Sequence, residues 1–140
     1  MSEAILPLAV YGTLRRGQRN HGLLLGARSL GTGFLAGSLY DVPRTPYRAY
    51  PYPAFIPSSQ GHVTVEVYEV VDAAALAAID RLEHYLPADE PASQYLRRVL
   101  EVMDGPVAEA SAYIYSGPLD ELGERIADGD WVAHAGRSAV

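Results

Sequence analysis

Two stretches of this 140-residue chain place residue types where chemistry or close backbone contact would ask for them. The first holds Glu83. In DAAALAAIDRLEHYL, residues 72–86, Leu76, Ile79 and Leu82 recur at helical spacing behind Asp72, a good N-cap. At about 100° per residue, Glu83 projects within about 20° of Leu76 and about 40° of Ile79, inside the apolar stripe. Such a carboxylate has two readings. It sits in the last turn and swings to solvent or to an arginine such as Arg97 or Arg98, or it is a buried acid/base whose pKa rises because its surroundings disfavour charge. Periodicity alone leaves both open. Its neighbours Asp80 and Arg81 are expected to point elsewhere.

The second stretch is AVYGTLRRG, residues 9–17. Gly12 ends an apolar run, frees the backbone dihedral and lets a ligand come close, so the amides around Thr13 and Leu14 could converge on an anion or a carbonyl oxygen. A plain strand-ending glycine accounts for the same letters.

Other constellations lead away from catalysis. Gly31, Gly33 and Gly37 are spaced one residue too far for a dinucleotide fingerprint and precede no helical pattern, so strand curvature explains them better. His21, His62, His84 and His134 are dispersed, without the spacing of a metal site. There is no cysteine, hence no thiol nucleophile or disulfide and no sign of an oxidising compartment, which makes a cytoplasmic location the default. All 11 basic residues are arginine, which removes every lysine-dependent mechanism. A net charge of −6 argues against nucleic acid and anionic membrane as partners. No stretch approaches the length of a spanning helix, and the N-terminus lacks the basic segment of a leader.

The elements that must position these residues suit one domain over residues 1–140. Residues 6–11 read as a buried strand and 15–22 as a solvated loop, and Leu23 to Leu25 open a short helix. Residues 29–42 form a curved strand. The Tyr/Pro-rich PRTPYRAYPYPAFIP, residues 43–57, runs extended or turns, as a wall, a lid or a polyproline-type surface. Residues 62–71 alternate as a half-buried strand, the helix from Asp72 runs until Pro87, and residues 95–103 and 109–115 pair as a hairpin across Asp104-Gly105. Leu119, Leu122 and Ile126 recur at helical spacing before the DGDW turn. This order of strands and helices favours an α+β fold.

In this order, YGTLRRG, YPYPAFIP with the following VEVYEV, IDRLEHY, YLRRVLEV, AYIY and the closing IADGDWV resemble the gamma-glutamylcyclotransferase-like superfamily, over most of the chain. The resemblance implies a small mixed β-barrel flanked by short helices, a pocket at its mouth, and no metal or organic cofactor. It implies that the backbone of Tyr11, Gly12, Thr13 and Leu14 holds a glutamyl group, that Glu83 is the catalytic glutamate of a D-x-x-E pattern beginning at Asp80, and that Tyr95 is the tyrosine of the Y-x-R strand and contacts substrate. One departure stands out. Where many members carry a glycine before Glu-x-Tyr, this chain has Val65, whose side chain is expected to narrow the cavity.

The implied partner is a small γ-glutamyl compound. Its own α-amine attacks its side-chain carbonyl and closes 5-oxoproline, so no protein nucleophile is needed. A base is needed: with a glutamate near about 4.3 and an amine near about 8, the proton transfer runs uphill by about 5 kcal/mol unless burial narrows the gap. A non-catalytic small-molecule-binding module of the same fold is the alternative, an interaction domain using the Tyr/Pro surface is a third, and monomer and homodimer are equally compatible with the sequence.

Overall fold

The computed structural model describes residues 6–43 and 50–138, so the part of the Tyr/Pro segment at 44–49 and the first residues of the N-terminus lie outside the described residues. Five strands form one mixed sheet: β1 (Leu8–Val10), β2 (Arg28–Val42), β3 (Tyr52–Glu69), β4 (Tyr95–Glu101) and β5 (Glu109–Tyr115), in the order β2-β3-β1-β5-β4. β1 runs antiparallel to β3 and parallel to β5, and the other two pairings are antiparallel. The helices are α1 (Ala73–Leu82) and α2 (Trp131–Ser138), with 3-10 turns at His21–Leu24, Glu90–Ala92 and Leu119–Glu121.

Period-two alternation divides the apolar residues between two cores. Leu8 and Val10 join Ile79 of α1, Tyr95 and Tyr113 on one face, whereas Ala9 and Tyr11 join Leu35, Val63, Val65, Val67 and Trp131 on the other. β1 is thus buried on both faces, which explains its unbroken apolar sequence.

The expected barrel does not close. Among the described residues β2 and β4 remain edges, and the segment just after β4 touches β2 at an isolated antiparallel bridge, where Phe34 and Met103 exchange amide-to-carbonyl bonds of 2.9 and 2.8 Å. β4 ends at Glu101 and is too short to pair along the 15 residues of β2. The curvature expected from the glycines is present: the β2–β3 register shifts at Ser29/Gly31 and at Ala36/Gly37. Gly37 has a φ of 151°, and a Cβ there would lie 2.4 Å from the carbonyl oxygen of Ile56.

Several expected boundaries move. β3 begins at Tyr52 and takes in Pro53 and Pro57, in register with Asp41 and Gly37. Because β1 pairs with β3 only at Glu66–Tyr68, the prolines sit where the far side of β3 makes no ladder among the described residues, so their missing N–H is tolerated. The run at Leu119, Leu122 and Ile126 forms one 3-10 turn and an extended segment. The last helix instead begins at Trp131 of DGDW, where Asp130 Oδ1 accepts from the Ala133 amide at 3.2 Å. No helix of the described residues is long and apolar enough to cross a membrane.

Candidate active site

The loop leaving β1 is folded onto its own carbonyls. The Gly12 oxygen accepts from the Arg15 amide at 3.0 Å, the Thr13 oxygen from the Asn20 amide at 2.9 Å, and the Leu14 oxygen lies 2.9 Å from His21 Nδ1. The amides of Thr13 and Leu14 donate to no other described residue, and both residues line a hollow. Backbone donors left unused at the wall of a cavity are the material of an anion or oxyanion cradle.

Gly12 is required here for space rather than for an unusual dihedral. Its φ lies outside the left-handed region, and a Cβ would stand 2.4 Å from Cγ of Pro53. Pro53 is held in turn by Tyr95, whose fully buried hydroxyl donates to the Pro53 carbonyl at 2.7 Å. Tyr95 therefore supports the wall of the hollow and is not itself part of the lining.

Arg15 anchors the loop. It is buried rather than solvated, with Nε 2.9 Å from Glu66 Oε2 and Nη1 2.8 Å from Asp130 Oδ1. The other Glu66 oxygen accepts from the Arg16 amide and the Tyr68 hydroxyl, each at 2.8 Å. Burial pushes the Glu66 carboxyl up, but the bonds from Arg16, Arg15 and Tyr68 together outweigh it and hold it below the usual carboxylate value. Burial first, and then the bond to Glu66, pushes the Tyr68 phenol up to about 12.

The same hollow is lined by Glu83, the C-cap of α1. The helix stops well before Pro87 because His84 takes a φ of 54°, the Tyr85 amide returns to the Asp80 carbonyl at 2.9 Å and the His84 amide to that of Arg81 at 3.1 Å, a Schellman ending. This ending fixes the direction in which half-buried Glu83 leaves the helix. Arg97 and Arg98 are engaged by Asp80 and Glu90. The hollow measures about 300 Å3 with its mouth included, yet only about 20 Å3 of it admits a water-sized group, so it holds one end of a molecule.

Asp80 does not point away as expected. It is buried, accepting from Arg97 Nε at 3.0 Å and from the Tyr113 hydroxyl at 2.5 Å. The helical projection contained this signal: Asp80 falls about 40° from Leu76, on the flank of the same stripe. Tyr113, which sequence reasoning passed over, lines the hollow opposite the loop. Burial, the bond to Asp80 and the nearby charges of Asp80 and Glu83 raise its pKa, so it stands as a neutral phenol fixed by Asp80. Tyr11 donates its hydroxyl to the Tyr113 carbonyl at 2.7 Å, joining loop to strand. Val65 is fully buried in the second core and is not among the residues that border the hollow. No three His, Asp or Glu side chains of the described residues are grouped to hold a metal.

The curled five-stranded mixed sheet with its short helices defines a small α+β fold. The sequence model of the family described as Gamma-glutamyl cyclotransferase, AIG2-like matches residues 8–133, and the chain belongs to that family. Among solved structures it is similar to an uncharacterized protein, PH0828, from Pyrococcus horikoshii, with 27% identity, 96% of each chain covered and a TM-score of 0.66. The protein ytfP from Escherichia coli matches at 28% identity over 93% of this chain and 99% of that one, TM-score 0.62. An AIG2-like protein, ggact, from Mus musculus matches at 28% identity over 82% and 78%, TM-score 0.55. No curated protein matches significantly. Family membership supports an activity of the cyclotransferase kind.

Proposed function

We propose that the protein releases 5-oxoproline and a free amine from a γ-glutamyl compound, with Glu83 as base and then acid. The observation that carries this reading is that Glu83 lines the same narrow hollow as Thr13 and Leu14, whose amides donate to no other described residue. The substrate's α-amine gives a proton to Glu83 and its nitrogen bonds to the γ-carbonyl carbon. The carbonyl electrons move onto oxygen, where the two amides stabilise the charge. As the carbonyl re-forms, the bond to the γ-nitrogen breaks and Glu83 returns the proton to the departing nitrogen; the ring nitrogen, which began as an ammonium, gives its second proton to Glu83, which passes it to the freed amine, so a lactam and an ammonium are the products. Atoms balance without water, cofactor or covalent enzyme intermediate.

Glu83 suits this role because it combines access with shelter: it is half-buried, and its position is set by the helix ending rather than by a flexible stem. Tyr113, locked by Asp80, supplies the opposite wall and keeps bulk water from that side. The reading is tested by incubating the protein with a panel of γ-glutamyl compounds and detecting 5-oxoproline by mass spectrometry, with Glu83→Gln in parallel. Release by the wild type and its loss in the variant are expected. A variant within about tenfold of wild type, worth only about 1.4 kcal/mol, removes Glu83 from the mechanism, and no release from any compound leaves a binding module.

A further inference from the structure

A second hollow shares Thr13 with the first and is larger, about 770 Å3 with its mouth included against about 300 Å3. Tyr50, Trp131 and His134 give it an aromatic lining, and Arg19 lies over the Tyr50 ring at 3.8 Å from its centroid. Resting on the reading above, we infer that this hollow receives the departing amine and selects γ-glutamyl compounds whose amine carries both a flat aromatic body and a carboxylate.

Size comes first. The narrow hollow beside Glu83 has room for the reacting end alone, so the rest of a substrate extends past Thr13 into the larger space. Next is the surface. Trp131 is 4% exposed, its ring lies 5.6 Å from that of His134, and its indole Nε1 meets no acceptor among the described residues. That donor has no accessible surface, so Trp131 offers the hollow its ring rather than its N–H. Charge completes the selection. Asp41, the acid of this hollow, is already engaged by His134 Nε2 at 2.8 Å, whereas Arg19 forms no ion pair with a described residue. Asp41 is thus held by a hydrogen bond with His134, Arg19 is the charged group of the described lining left without an ionic partner, and a cation there calls for an anion. Its stacking on Tyr50 holds the guanidinium plane against the aromatic wall, where a carboxylate on a ring-bearing amine reaches it.

Tyr50 and Thr13 are tied together as well. Asn20 Nδ2 donates to both hydroxyls at 2.9 Å, so the aromatic wall and the loop of the first hollow hold a fixed spacing. A substrate that fills the second hollow is thereby aligned in the first.

Four substrates separate the two features: γ-glutamylphenylalanine has ring and carboxylate, γ-glutamylphenethylamine the ring alone, γ-glutamylglycine the carboxylate alone, and γ-glutamylethylamine neither. The expected order of kcat/KM places γ-glutamylphenylalanine first, with each feature worth about tenfold, and Arg19→Ala erases the carboxylate advantage while the ring advantage persists. Binding is read independently of turnover, because Trp131 is the single tryptophan of the chain. Free phenylalanine should shift its emission and ethylamine should not. Turnover of all four at equal rates, or an Arg19→Ala loss shared equally by all, overturns the subsite and leaves the proposed reaction standing. Absence of 5-oxoproline from every substrate overturns the reaction itself, and a silent Trp131 with phenylalanine rejects the hollow as an amine site.

Discussion

Arg15 Nε lies 2.9 Å from Glu66 Oε2, and this pair ties the loop after β1 to the strand beside it. Both side chains are nearly buried, and the same guanidinium reaches Asp130 before α2, so one arginine joins three segments far apart in sequence. Replacing Arg15 with methionine leaves Glu66 sheltered without its cation. The expected loss is about 3 kcal/mol of folding stability, read from the midpoint of urea unfolding, together with weaker substrate binding because the Thr13 and Leu14 amides lose their anchor. Unchanged binding in calorimetry would separate the anchor from the cradle.

The same carboxylate gives the protein a pH-dependent term. The Glu66 pKa in the folded protein lies below its ordinary value of 4.5, so the folded state binds the proton less readily than the unfolded chain. Its stabilisation is present in full above pH 4.5 and is lost as pH falls through the folded value. Glu66→Gln should therefore flatten the acid side of the stability profile, measured by thermal unfolding between about pH 3 and pH 6. Parallel profiles for the two proteins would sink this assignment.

Gly12 and Pro53 make a steric prediction. Gly12→Ala drives a methyl group to within 2.4 Å of a proline ring whose own carbonyl is pinned by Tyr95. A cost of about 1–3 kcal/mol in stability is expected, and Gly12→Val should also weaken substrate binding by displacing the loop. If alanine is tolerated without loss in denaturant unfolding, the ring and the strand are freer than the packing implies.

Asp80→Leu removes the acceptor shared by Arg97 and Tyr113. The orphaned phenol and guanidinium should cost about 2–4 kcal/mol, less if water reaches Arg97, which is partly exposed. Tyr113→Phe keeps the ring and loses only the bond. It should be milder by half or more in stability while slowing 5-oxoproline release less than Glu83→Gln does, a ranking read from kcat/KM of the two variants.

Much of the candidate site was legible in the chain because its signals are local. Glu83 stood out as a charge within a helical apolar stripe, Gly12 as a glycine at the end of an apolar run, and the hairpin at Asp104-Gly105 as two β-rich runs around a turn that the structure places at β4 and β5. Asp80 was misjudged because the stripe is wider than its three leucine and isoleucine residues suggest. Tyr113 carried no local signal, since its place on the hollow comes from the parallel pairing of β5 with β1 across about a hundred residues of chain.

By itself the sequence determined the types of most elements (though not α2 or the run at Leu119–Ile126), the family likeness and the two segments proposed to carry chemistry, since hydrophobic period, capping residues and glycine placement act over a few neighbours. Only the tertiary structure decided that Glu83, Thr13 and Leu14 line one hollow, that Arg15 is a buried anchor rather than a solvated charge, and that the sheet curls without closing. Those outcomes depend on strand order, register and the direction in which α1 ends. Each is a long-range consequence of packing two cores at once, which no window of neighbouring residues contains.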